Sequence, residues 1–146
     1  MQWTDWTTVA LFILFALAEA RRGSLAAMVD IVGVMIAVKA ADYLYPEFVS
    51  VAAAPVTAYT LVFVAVCVVT VLASWQVQSA TARIRGPVDL LVAALIGSVV
   101  GLALAHAMFH ALYIAYGRNF EPFADSLLRP YVHDLTWYHA LVESMQ

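Results

Sequence analysis

His106 and His110 stand four residues apart in a long apolar run, so a helix presents both imidazoles on one face. That spacing suits two ligands of a zinc-type ion, and His133 or His139 would have to fold back from the C-terminal stretch to supply a third. Helical histidines near a membrane interface more often bond to neighbours or water, so the expectation is no metal and no cofactor. Asp30 is the sharper candidate. A carboxylate inside an apolar helix costs about 2.5–3.5 kcal/mol on insertion scales and marks ion or proton paths by default. Lys39 and Asp42 share a face with each other on the same run, three residues apart, and mutual pairing is the simplest account of them. Asp89 falls in the first turn of the last run, where the helix dipole favours an anion.

Other chemistry is missing from the chain. It has no glycine-rich phosphate loop, no pair of carboxylates placed for acid–base catalysis and no nucleophile elbow, so no enzyme is expected. The single cysteine, Cys67, can form no disulfide within the chain. Seven basic residues spread along a chain of net charge -3 build no phosphate-tracking patch, and no nucleic-acid partner is expected.

The elements that must hold these residues are membrane helices. Of 146 residues 64% are hydrophobic and 12% are charged, with a mean hydropathy of +0.87. Soluble domains run at about 45–50% apolar and 25% charged, so a soluble fold would leave too much apolar surface in water. Four apolar runs, at about 3–20, 25–44, 56–77 and 88–116, predict an all-α bundle of four transmembrane helices in residues 1–117. The first spans only about 27 Å at the helical rise, and the fourth about 43 Å, so the fourth must tilt or emerge. Ala16-Leu17-Ala18 and Ala18-Glu19-Ala20 look like signal cleavage sites, but the charges follow the apolar run rather than precede it, and the first run is expected to be retained. Residues 118–146 are too polar to span; their spacing predicts an amphipathic helix at the interface, with Pro130 starting its longer half.

Two turns orient the bundle. Arg21 and Arg22 follow the first run, and Arg83 and Arg85 precede the fourth. By the positive-inside rule both loops face the cytoplasm, which puts both termini in the periplasm. Pro46-Glu47-Phe48 opens an external link running to Pro55. Ala93, Gly97, Gly101 and Ala105 recur every four residues on the fourth run and mark a close-packing helix face, whether within the bundle or between copies in a homo-oligomer.

An early Asp5, Arg22-Gly23 opening the second span, Gly86 and Asp89 before a fourth span carrying Gly97 and Gly101, and a tail around Ser126-Leu127-Leu128-Arg129-Pro130-Tyr131 together resemble the colicin V production protein family. The resemblance covers essentially the whole chain. Charged residues common after the family's Arg-Gly are replaced by Ala26-Ala27, and a late Arg-Gly in the fourth span by Val100-Gly101. The resemblance implies a multi-pass bacterial inner-membrane protein supporting colicin or toxin production or export and envelope homeostasis. Its partners would then be the lipid bilayer and envelope or export proteins. The alternative is a small ion or proton channel or transporter subunit lined by Asp30, Lys39 and Asp42.

Overall fold

The computed structural model describes residues 1–52, 54–81 and 86–136. Its elements are α1 (Trp3–Arg22), α2 (Ser24–Ala52), α3 (Pro55–Thr81), α4 (Pro87–Tyr116), α5 (Glu121–Ala124) and α6 (Arg129–Val132), with no strand among the described residues. The first four are long and apolar enough to cross a membrane. At 1.5 Å per residue α1 is about 30 Å long and α4 about 45 Å, the latter well beyond an apolar core of about 30 Å.

α1 ends at Gly23, whose φ of 94° is a conformation an L side chain resists, and whose N–H closes on the Glu19 carbonyl at 2.9 Å. α2 starts at the next residue. This one-residue turn leaves α1 and α2 with few contacts to each other. α1 instead packs along α4, α2 along α3, and α2 against α4 joins the two pairs.

Small residues set both main contacts. A Cβ on Gly97 would collide with the Phe15 carbonyl oxygen and lie 2.8 Å from Glu19 Cβ, and one on Gly101 would lie 2.7 Å from the Leu11 carbonyl oxygen. Ala93 and Ala105 extend that seam and are fully buried. On α2 the buried positions Ala26, Asp30, Gly33, Ala37 and Ala41 form a second stripe, and a Cβ on Gly33 would run into the Thr70 side chain of α3. With lipid outside, such close backbone approach supplies the van der Waals contact that the hydrophobic effect cannot. Leu14, Met35, Val69 and Leu95 point outward, while Trp6, Tyr116 and Tyr131 are exposed at one end and Trp75 near the other, the distribution of an apolar belt between aromatic girdles.

The structure corrects the expected boundaries in two places. α2 does not stop at Leu44 but continues through Pro46 to Ala52. Proline in a helix interior costs about 3 kcal/mol, largely because it leaves the carbonyl four residues back without a donor. The second difference is in the tail, where the described residues do not extend into the expected amphipathic helix. The tail makes two four-residue helices, α5 and α6. They fold against the bundle: Phe123 and Val132 are buried with Ala105 and Phe109, and Leu11, Met108, Phe120 and Leu128 pack around them. The part of the expected tail helix after Thr136 lies outside the described residues.

Candidate functional site

Polar side chains gather at the two ends of the bundle. At the turn end, Arg22 does not splay outward with Arg21 but turns in among three helices. Its Nη1 donates to Glu19 Oε1 at 2.8 Å and to the Asp30 carboxylate, its Nη2 donates to Ser74 Oγ, and its Nε donates to Gln78 Oε1 at 3.3 Å. One guanidinium therefore binds α1, α2 and α3, as its rigid fork of donors allows. Glu19 is 1% exposed and Asp30 5%. Glu19 Oε2 and Asp30 Oδ1 are buried and have no hydrogen-bond donor. Beside this cluster Asp89 accepts from the Ser24 N–H at 3.1 Å and from the Ser24 hydroxyl, which ties the start of α4 to the start of α2.

The other end is built on Asp5. Its Oδ1 accepts from the Ser126 hydroxyl at 2.6 Å and the Leu128 N–H at 3.1 Å, and its Oδ2 from the Gln2 N–H at 2.7 Å. The last of these satisfies an N–H at the helix start. Thr4 adds a bond from its hydroxyl to the Pro122 carbonyl at 2.7 Å. The first turn of α1 is thus a clamp on the tail.

Clamping brings His133 to the two histidines of α4. Ring centroids lie 6.4 Å apart for His106 and His110, 5.7 Å for His106 and His133, and 6.0 Å for His110 and His133. His106 Nδ1 donates to the Val132 carbonyl at 2.8 Å, and His133 Nδ1 to Asp134 Oδ1 at 2.8 Å. The three rings are inclined to one another by 14–23°. One nitrogen of each ring is turned to another partner, His106 Nδ1 to Val132, His133 Nδ1 to Asp134 and His110 Nε2 to Asp42. Among the described residues no group of three or more His, Cys, Asp or Glu could hold a metal ion. His139 lies outside the described residues.

The other residues singled out from sequence are placed as follows. Asp30 is in the Arg22 cluster. Asp42 does not pair with Lys39: it faces His110, with Oδ1 3.4 Å from Nε2, while Lys39 is exposed. A residue three positions away shares a helix face only approximately, and the packed helix α4 offers Asp42 a nearer partner. The Ala93, Gly97, Gly101 and Ala105 face is covered by α1 of the same chain, so a second copy could reach it only by displacing α1. Arg83 and Arg85 lie outside the described residues.

Sequence reasoning passed over Glu19, Ser74 and Gln78. Glu19 carried a usable signal, an acid three residues before Arg22 on an apolar helix, where the two side chains are neighbours. Ser74 and Gln78 carried none, because only tertiary packing brings α3 beside Arg22.

No curated protein and no solved structure matches the chain. The family model for the colicin V production protein matches residues 4–136. That span runs from the Asp5 clamp through both polar ends to the tail, and the chain belongs to the colicin V production protein family.

Proposed function

We propose that the protein is a non-catalytic scaffold of the bacterial inner membrane, which supports colicin or toxin production or export and envelope homeostasis through contacts with envelope or export proteins. The observation that carries this reading is the separation of the two polar ends. Asp30 and Asp42 are twelve residues apart on α2, about 18 Å along the helix. Between them the buried face of α2 is Gly33, Val34, Ala37 and Ala41. A relay needs polar groups or water within hydrogen-bond reach of each other, and this interval offers small apolar packing instead. The exposed apolar flanks of α3 and α4 are where a partner helix would lie, since lipid and helix compete there on packing alone.

In this reading Arg21 and Arg22 face the cytoplasm, with the termini, α5 and α6 in the periplasm. The opposite end carries Lys39, Arg118 and Arg129, so the charge bias is slight and labelling must decide it. In a Cys67→Ser background, Arg118→Cys should react with an impermeant thiol reagent on intact spheroplasts and Arg21→Cys should not. The reverse pattern inverts the protein.

Photo-cross-linkers at the exposed positions Trp75 and Leu95 should trap envelope or export proteins in living membranes. The competing reading, a small ion or proton channel or transporter subunit using Asp30 with Lys39 and Asp42, draws support from the unpartnered oxygen of Asp30. Ion or proton flux in proteoliposomes of the pure protein, lost in Asp30→Asn, would replace the scaffold with that reading.

A further inference from the structure

We propose that Glu19 and Asp30 form a proton-binding site, a carboxyl–carboxylate pair that holds one proton between them inside the Arg22 cluster. The site is one the scaffold reading leaves unused, and it stands or falls separately from it.

The argument begins with charge. Two carboxylates, each more than nine-tenths buried, share one guanidinium, which donates to both through Nη1. Ser74 and Gln78 of α3 complete the Arg22 contacts without charge. Asp89 of α4 is a further acid and bonds to Ser24. Cys67 of α3 is a free, half-buried thiol. Arg21, in the last turn of α1, is exposed and has an interaction of its own. With both acids ionised the pair and Arg22 carry one excess negative charge, which burial makes costly.

Hydrogen bonding leads to the same place. Glu19 Oε1 and the Asp30 carboxylate accept from one and the same nitrogen, Arg22 Nη1, which sets the two acids side by side. Yet Glu19 Oε2 and Asp30 Oδ1 are buried without a donor. An ionised carboxylate only accepts, so two of them side by side cannot satisfy each other. A proton on one turns an acceptor into a donor and removes the excess charge in the same step. Like carboxylates sharing a site behave in this way generally. A sodium or potassium ion would neutralise the charge but would have to sit against the guanidinium that binds both acids. A water molecule would supply a donor and leave the charge.

Packing holds the pair in place. The Cβ that Gly97 lacks would lie 2.8 Å from Glu19 Cβ, so α4 backs directly onto the acid.

The test is infrared spectroscopy of the full chain in nanodiscs. The wild type at pH 7 should show the stretch of a protonated carboxyl, shifted in D2O, which titrates away at alkaline pH with release of one proton per chain. Glu19→Gln and Asp30→Asn should each abolish it, because an amide supplies the missing donor, and Asp42→Asn at the other end should keep it. Wild-type thermal stability should fall as pH rises from the ordinary carboxyl range to the pH at which the band is lost and level off above it, because over that interval the unfolded chain has given up a proton that the fold still holds, and Glu19→Gln should not show that fall. If a variant does not fold, carbon-13 labelling of Glu and Asp carboxyls in the wild type assigns the band. No protonated carboxyl at pH 7, a band that survives both variants, a labelled band belonging to neither residue type, or displacement of the band by sodium or potassium at constant pH would overturn the proposal.

Discussion

α1 carries two buried acids, Asp5 near its start and Glu19 near its end, and they are treated in opposite ways. Asp5 is wholly buried and both its oxygens meet donors, three in all from Gln2, Ser126 and Leu128. Glu19 is as deeply buried, but only one of its oxygens has a donor, and a second acid, Asp30, accepts from the same Arg22 nitrogen. A fully satisfied anion is a fastener: everything it can accept is already given, and it fixes the tail to the bundle. An under-satisfied anion next to another has capacity left over. Of two carboxylates about 21 Å apart on one helix, the second is the one with chemistry still to do.

The comparison can be broken most severely from outside either acid. Gly97→Leu forces a side chain into the backbone of α1 beside Glu19 and should abolish the folded protein in detergent, seen as loss of the monodisperse peak and of a cooperative melt. If Gly97→Leu melts like wild type, the α1–α4 seam is not what holds the bundle. Next comes Arg22→Gln, which leaves the buried acid pair without its cation; removal of one partner of a buried ion pair costs about 3–5 kcal/mol, and low pH, which protonates the remaining carboxylate, should recover part of it. Failure of acid to help would mean that charge is not the cause.

Asp5→Asn should follow, at about 2–3 kcal/mol, because the amide turns a donor toward groups that also donate. Its signature is local: cleavage by added protease between Gly117 and Thr136 should rise before the bundle melts. Glu19→Gln should be the mild counterpart, within about 1 kcal/mol of wild type, since the amide fills the place of a missing donor. Equal losses for Asp5→Asn and Glu19→Gln would erase the distinction between fastener and unsatisfied acid. Lys39→Gln should be the smallest, within about 0.5 kcal/mol, because the side chain is exposed and has no ion pair with Asp42.

Much of this architecture could be read from the chain alone, for particular reasons. The run from Val88 to Tyr116 is a helix whatever surrounds it, because in lipid every backbone group must bond within the segment. The four-residue repeat at Ala93, Gly97, Gly101 and Ala105 announced a close contact, because nothing but small side chains lets two backbones meet. It did not say that α1 was the partner. The second stripe on α2 went unread because Asp30 sits within it, and a lone acid draws the eye to chemistry rather than to packing. The tail was only partly legible: its helical spacing pointed to an amphipathic helix with Pro130 starting the longer half, and α6 does begin at Arg129-Pro130, but the burial of Phe123 and Val132 and the bonds to Asp5, which fold the described part onto the bundle, depend on contacts with α1 and α4.

What the sequence determined by itself was the count of spans, the apolar exterior and the presence of charges too costly to leave in lipid. These follow from local properties, the hydropathy of each segment and the price of an unsatisfied group, and need no knowledge of neighbours. Which charge meets which was decided only in three dimensions. Arg22 was placed to orient a turn, yet packing brought α3 beside it and made it the centre of a buried cluster. Asp42 was within reach of Lys39 along the chain, yet α4 set His110 against it. Electrostatic partners depend on distance in space, and no pattern along one helix encodes how far away the next helix will lie.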